Sequence, residues 1–511
     1  MAESKPYEIT KMSNNRSLKW KYYTRNQDYV EKRVKKGKYD CVSTTGWGNF
    51  DGFFGFLLKL GFFSLFDFRP EKRQRIMIPL IKLLSTYSLK VILSLSSLNQ
   101  ISNQLFKEKS LLKYIGFTGR ELTKGFSKRS KGKQLPFHIT TLGKMLKDLS
   151  LEEINKIFSI FFALLAKCHF IPKGTYAVDA TDLSVEEKSK YENKGHTYRM
   201  KKNKSGYRLI SIRYVGEKGP EIFVAAILFP INENESKYLL PLIEQAQRNI
   251  GKDKIKLIVM DRIFLGGNKL WDLKHEYGID FLIYSKSNMD VTDEMKKRGE
   301  EVKKRQEKGL PLDEDTFIEK DKEFSAIGFN HLSWFWTYGD EEHNKKWKRL
   351  QYKKEKKSRT NYISGVLITK YKGKERQPGK EITLLSNRKI SKKRTPLFLV
   401  FLYRRRQGIE NQGFRELKQG WHLGKFPGKS FSAVLFHTLI TLMLYDAAAC
   451  YKTEKGERLS DMGIRALREK EIGPFYGVIV YIGNYFGVFD LEEFLYLIGK
   501  PPTEFINFRP P

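Results

Sequence analysis

The sequence predicts an α/β protein: a mixed sheet core carrying a β-rich insertion, preceded by a helical N-terminal domain. Three observations predict it. Through residues 1–170, apolar side chains recur every three or four positions, as successive amphipathic helices require. After Pro172 the period shortens to that of strands, and strands then alternate with helices. Between residues 289 and 396 a strongly charged stretch gives way to short aromatic strands.

The N-terminal part reads GFFGFLLKLGFFSLFDF and then RPEKRQRIMIPLIKLLSTYSLKVILSLSSLNQISNQLF, a helical bundle that leaves room for a helix-turn-helix between Leu80 and Leu112. The basic segment GRELTKGFSKRSKGKQ, at 119–134, interrupts it as a loop, either solvated or tracking phosphates. GTYAVDAT then forms a strand that ends in Asp179, with Asp182 close behind. YRLISIRYV and EIFVAAILFP make a hairpin about EKGP. ESKYLLPLIEQAQRNIGK is an amphipathic helix. KIKLIVMD is a near-continuous apolar run, as in a strand covered on both faces, and it ends in Asp261. A helix, GGNKLWDLKHEYG, and a strand, IDFLIYSKSN, follow. The order is three strands, helix, strand, helix, strand, with an acid closing the first strand and another the fourth.

In the insertion, VTDEMKKRGEEVKKRQEKGLPLDEDTFIEKDKEF reads as a solvated helix and loop, and HLSWFWTYG, WKRLQYKK, NYISGVLITK and EITLLSN as strands. The apolar helix at 431–449 is expected to back the sheet. Residues 459–511 read as a packed helical end with aromatic turns such as FYGVIVYIGNYFGVFD. The chain thus divides into a helical domain at 1–170, a first core part at 171–288, the insertion at 289–396, a second core part at 397–451 and a C-terminal region at 452–511.

Charge narrows the function. Of 511 residues, 94 are Lys or Arg and 58 Asp or Glu, a formal net charge of +36 and a pI near 9.7. The excess is spread along the whole chain, so several surfaces face a polyanion, nucleic acid before membrane. Cys41, Cys168 and Cys450 are far apart and in no CxxC arrangement, which argues against a disulfide framework or a zinc site and for a reducing cytoplasm. His275 and His437 read as satisfied core residues rather than ligands. The apolar runs at 53–66 and 431–449 fall short of about 20 clean apolar residues, so no membrane span is expected.

One stretch stands apart: YRRRQGIENQGFRELKQGW, at 403–421. At about 100° per residue, Tyr403, Arg406, Glu410, Phe414, Leu417 and Trp421 share an arc of roughly 80° on a helix. That face sets a lone carboxylate among apolar groups, and burying one costs several kcal/mol unless a cation pairs with it. Either Arg406, one turn upstream, is that cation, or Glu410 belongs to a larger cluster. Gly408 and Gly413 each cost a helix interior about 1 kcal/mol, which implies a close approach to the backbone.

In an open α/β sheet, functional groups gather beyond the carboxyl ends of strands. Adjacent parallel strands ending in Asp179 and Asp261 would bring these two acids together, and Glu410 would complete the cluster. Three carboxylates repel one another and call for a hard divalent cation. All-oxygen ligation selects Mg²⁺ or Mn²⁺, and two such ions about 4 Å apart suit in-line phosphodiester displacement.

The strand order, with VDAT, VMDRIF and YRRRQGIENQGFRELKQGWHLGKFPGKS in sequence, resembles the DDE transposases of bacterial and archaeal insertion sequences. The closest branch carries its Glu in a Tyr, Arg, Glu, Lys helix motif and has a β-rich insertion in a ribonuclease H-like core. The resemblance covers residues 174–451 well and the N-terminal helices loosely. It implies that Asp179, Asp261 and Glu410 form the metal-binding triad and that Tyr403 and Arg406 contact DNA near the scissile phosphate. The family lysine would fall on Leu417, and Lys418 follows one residue later. A π-bulge near Gly413 would realign Lys418; otherwise another cation has the role. Ile263 stands where the family usually has glycine.

Arg199, Lys201, Lys202 and Lys204 border the Asp179 strand, as phosphate contacts or as a solvated hairpin. Trp336, with Trp334 and Trp347, either stacks on a flipped base or packs. The resemblance implies double-stranded DNA as partner, both element ends and target, and a homodimer on it, nucleoid-associated in the cytoplasm. The alternatives are a structure-specific nuclease of the same fold and a catalytically silent DNA-binding protein.

Overall fold

A computed structural model describes residues 24–46, 50–72, 77–126, 136–199, 202–332, 363–372, 377–459, 462–471 and 477–499. It has two compact units. One comprises Met1–Phe170, Ser184–Lys194 and Arg415–Pro511, the other Ile171–Leu183 and Gly195–Phe414.

The first unit opens with strands β1 (Thr24–Arg25) and β2 (Cys41–Thr45), which flank the helix Gln27–Val34. Helices then dominate, among them Phe50–Leu60, Leu80–Ile92, Ile139–Asp148 and Leu151–Lys167. Aromatic packing binds them: Phe53 meets Tyr451 edge-on at 5.6 Å and Phe62 meets Phe161 at 6.0 Å. The stretch expected as a basic loop holds a short helix, Gly119–Lys124, because Thr118 and Glu121 form a capping box. Its residues 127–134 lie outside the described residues.

The second unit is built on a ten-stranded sheet. Its strands are β3 (Gly174–Val185), β4 (Gly195–Arg199), β5 (Lys202–Tyr214), β6 (Phe223–Pro230), β7 (Ile255–Met260), β8 (Asp280–Tyr284), β9 (Thr316–Lys320), β10 (Phe324–Leu332), β11 (Ile363–Lys372) and β12 (Gln377–Ser386). They run in the order β4-β5-β3-β7-β8-β12-β11-β10-β9, with β6 on β5. β3, β7 and β8 are parallel, joined through the helices Leu239–Ile250 and Gly267–His275, while β8 to β12 and onward are antiparallel. The insertion strands therefore extend the same sheet. The helix Pro396–Arg404 follows β12, and its Leu399, Val400 and Leu402 share one core with Val259, Leu282, Val366 and Leu384. Two of the expected strands, at 331–339 and 347–354, lie almost wholly outside the described residues.

Three expectations are corrected. First, β3 continues to Val185, so Asp179 lies within the strand; only its pairing with β7 stops at Val178. Second, the apolar helix Phe431–Lys455 belongs to the first unit and packs on Leu80–Ile92, Ile139–Asp148 and Leu151–Lys167. It is buried from Ala433 to Tyr451, on every side, and it is the one helix long and apolar enough to cross a membrane among the described residues. Third, the C-terminal part contains a hairpin, β13 (Gly477–Ile482) and β14 (Tyr485–Asp490). A two-residue Gly-Asn turn with Gly483 at φ +60° joins its strands, a hairpin signal that GVIVYIGNYFGVFD carries. The hairpin joins β1 and β2 in a four-stranded sheet, order β1-β14-β13-β2.

Candidate active site

In the second unit, β3 and β7 run parallel with Val178 opposite Met260. Asp179, still within β3, and Asp261, just past the end of β7, are the residues that follow this last pair, so the two chains leave the pairing with an acid each. Each is held locally. Asp179 Oδ1 accepts from the Ala180 N–H at 2.9 Å, and Asp261 caps the turn Arg262–Phe264 by accepting from the Arg262 N–H at 2.8 Å. That turn accommodates Ile263 without a glycine.

The segment bearing Glu410 departs from the single helical face expected of it. The helix Pro396–Arg404 ends, and a π-helix, Ile409–Phe414, follows. The π turn contains Gly413. Glu410 is exposed, so it carries no burial cost; Ile409, Gly413 and Phe414 take the buried side. Of the two glycines, Gly413 is the tightly packed one: a Cβ there would meet Phe223 Cζ at 2.8 Å, whereas at Gly408 the nearest atom is 3.8 Å away.

Arg406 does not take Glu410 as its ion-pair partner. Its Nη1 lies 2.5 Å from Asp179 Oδ2, while Arg404 pairs with Glu323 at 2.8 Å and Arg405 with Glu217 at 2.6 Å. Among the described residues, the buried Arg406 Nε has no hydrogen-bond partner. Burial pushes the Asp179 carboxyl up to about 6; Arg406 and the Ala180 N–H oppose that, and repulsion from Glu410 and Asp261 adds to it. The three acids therefore share one electrostatic neighbourhood. Burial also raises the Tyr403 phenol to about 12, moderated by Arg406 and reinforced by Asp261. The Tyr403 ring lies 5.9 Å from that of Tyr284 and 5.7 Å from the Arg406 guanidinium carbon.

Among the described residues, no three His, Cys, Asp or Glu side chains are gathered closely enough to hold a metal ion. Even so, the donor set suits a hard divalent cation: two aspartates just beyond the last β3–β7 pair, a third acid whose charge reaches Asp179, oxygen atoms throughout. In the structure the balancing charge comes from Arg406.

The remaining sequence candidates are dispersed. Lys204 is exposed and lies 3.1 Å from Asp182, which Arg208 also holds at 2.8 Å; burial would raise the Asp182 carboxyl, but these two cations bring it below its ordinary value. The backbones of Arg199 and Lys202 are described without their side chains, and Lys201, Trp334, Trp336 and Trp347 lie outside the described residues. Lys418 is exposed on the helix Arg415–Gln419, in the first unit. His437 is a satisfied core group, bonded to the Tyr87 hydroxyl at 2.8 Å and the His422 carbonyl at 3.0 Å. His275, by contrast, is exposed and lies over the Trp271 ring at 3.6 Å. Sequence reasoning missed Arg213, a buried arginine on β5 that donates to the Gly408 carbonyl at 2.8 Å; its signal was a charge inside the apolar run YRLISIRYV.

A mixed α/β core with an acid following the last residue pair of two adjacent parallel strands defines the class. The family model described as "Transposase DDE domain" matches residues 172–446, more than half of the chain, and the chain belongs to the DDE transposase family with its ribonuclease H-like core. No curated protein matches the chain. DDE transposases generally use divalent metal ions.

Proposed function

We propose that the chain is the transposase of an insertion sequence, which binds its element's terminal inverted repeats, cuts them and joins the freed ends to target DNA. The supporting observation is that Asp179 and Asp261 directly follow the last pair of the β3–β7 ladder, with the charges of both Asp261 and Glu410 felt at Asp179. Asp179, Asp261 and Glu410 would hold two Mg²⁺ or Mn²⁺ ions once Arg406 releases Asp179. When bound, these ions supply the positive charge that stabilises the attacking and leaving oxygens.

The chain's own residues do the rest. The unpartnered Arg406 Nε suits a phosphate oxygen near the scissile bond, and the raised Tyr403 phenol stays protonated at neutral pH, able to donate to another. Lys418, Arg199, Lys201, Lys202 and Lys204 would contact flanking phosphates, and Trp336 would stack on an extruded base. In cleavage, a water oxygen attacks phosphorus, the P–O3′ bond breaks, and the 3′ oxygen leaves as a hydroxyl. In transfer, that hydroxyl loses its proton as its oxygen attacks a target phosphorus, the target's own P–O3′ bond breaks, and the departing 3′ oxygen takes up a proton to leave as a hydroxyl. A homodimer would hold the two element ends together.

The test uses DNA carrying the inverted repeats that should flank the reading frame. With Mg²⁺ or Mn²⁺, the wild-type protein should nick the repeat ends and join them to a second DNA, and Asp179→Ala should do neither. Nicking without joining would indicate a structure-specific nuclease, and binding without nicking a silent DNA-binding protein.

A further inference from the structure

Arg213 lies at the end of β5, opposite Phe223 on β6, where the register between the two strands shifts at a bulge. A bulge turns a side chain away from the alternation of its strand. Arg213 is only 2% exposed, yet it is an arginine in a strand of apolar residues. Its guanidinium is fully engaged: Nη2 binds Glu221 Oε2 at 2.7 Å, Nε donates to the Glu221 carbonyl at 3.3 Å, and Nη1 donates to the Gly408 carbonyl at 2.8 Å. The guanidinium carbon lies 5.3 Å from the centre of the Phe223 ring, and that ring stacks on Phe414 at 5.7 Å.

Gly408 and Phe414 bracket the π turn that carries Glu410. Gly413, inside it, packs so closely that a Cβ would meet Phe223 Cζ at 2.8 Å and Arg213 Nη1 at 3.2 Å. A cleft of about 400 Å³ also borders Arg213, Gly408 and Gln412, so neighbouring side chains do not enclose the turn completely. A π turn also has weaker internal geometry than the α turn it replaces and persists where surrounding contacts hold it.

We infer that Arg213 is a positioning residue: through Gly408, Gly413 and Phe223 it holds the π turn so that Glu410 is presented to the pair Asp179 and Asp261. Arg213 itself touches neither DNA nor metal. The inference rests on the reading of Glu410 as a metal-binding acid, and the experiment separates the two.

Mn²⁺ binding to the DNA-free, full-length protein is measured by the loss of the free-ion paramagnetic signal, for wild type, Glu410→Gln, Arg213→Gln, Arg213→Lys and the double variant Arg213→Gln with Glu410→Gln. Glu410→Gln should weaken Mn²⁺ binding about tenfold. Arg213→Gln should weaken it comparably, Arg213→Lys less, and the double variant no more than Glu410→Gln alone, because both act through one group. Full additivity in the double variant, or unchanged affinity in Arg213→Gln, overturns the positioning role. Unchanged affinity in Glu410→Gln instead overturns the metal-site reading. If Arg213→Gln fails to fold, Gly413→Ala disturbs the same seat from the opposite side and should also weaken Mn²⁺ binding; unchanged affinity there overturns the inference.

Discussion

The guanidinium of Arg406 meets the carboxylate of Asp179 at 2.5 Å, although 227 positions separate them in sequence. A cation thus already sits on an acid that a metal ion would need, and the two compete. Replacing Arg406 by Gln removes the competitor, so the DNA-free protein should bind Mn²⁺ several-fold more tightly while nicking of element ends falls. Mn²⁺ titration followed by electron paramagnetic resonance checks the first effect and a plasmid nicking assay the second. Weaker binding in Arg406→Gln would show that the arginine supports the site rather than blocks it.

Asp179→Asn, Asp261→Asn and Glu410→Gln should each reduce nicking by on the order of a thousandfold, and combining two should cost little more, since groups that act as a unit are not additive. DNA retention in a gel-shift assay should persist, because phosphate contacts made elsewhere supply the affinity.

Burial, followed by the nearby Lys90 charge, lowers His437 from its ordinary 6.5 to about 3. The folded state therefore binds fewer protons than the unfolded chain between these values. The stabilisation is fully present above pH 6.5 and declines as pH falls toward about 3. Between pH 7.5 and pH 5 the loss should approach about 2 kcal/mol. In urea denaturation, His437→Gln should be less stable at pH 7.5 yet show a shallower decline toward pH 5. An unchanged slope would place the acid sensitivity in another group.

Arg208, with its side chain 9% exposed, pairs with Asp182 at 2.8 Å and Glu235 at 3.2 Å. Arg208→Ala leaves both acids without it and should destabilise the protein by about 3 kcal/mol. Adding Asp182→Asn should recover part of that loss, as read from the urea midpoint.

Much of this was legible in the sequence. Asp179 and Asp261 stand out because each follows an apolar strand-like run, and the pairing of β3 with β7 stops just before both; β3 itself runs on to Val185, since it also pairs on its other side, so Asp179 lies within the strand rather than at its end. Glu410 was found for a reason that did not hold: ideal helical phase put it on an apolar face, but the π turn changes the phase and leaves it exposed. Arg213 escaped because nothing local marks its partner, a carbonyl 195 residues away. The C-terminal hairpin is hard to read from sequence despite its Gly-Asn turn, since short aromatic strands next to helical stretches resemble turns.

The four-stranded sheet sets an order of events during synthesis. Gln27 exchanges two hydrogen bonds with Val488, 461 positions later, and β2 finds its only pairing partner, among the described residues, in β13. Translation proceeds at roughly 5–20 residues per second, so the earliest strands wait on the order of half a minute for the last ones to be made. The unit bearing the acids, which ends at Phe414, is complete well before that. A message cut short before residue 490 would yield a chain whose first strands present bare edges, a species prone to aggregate rather than act.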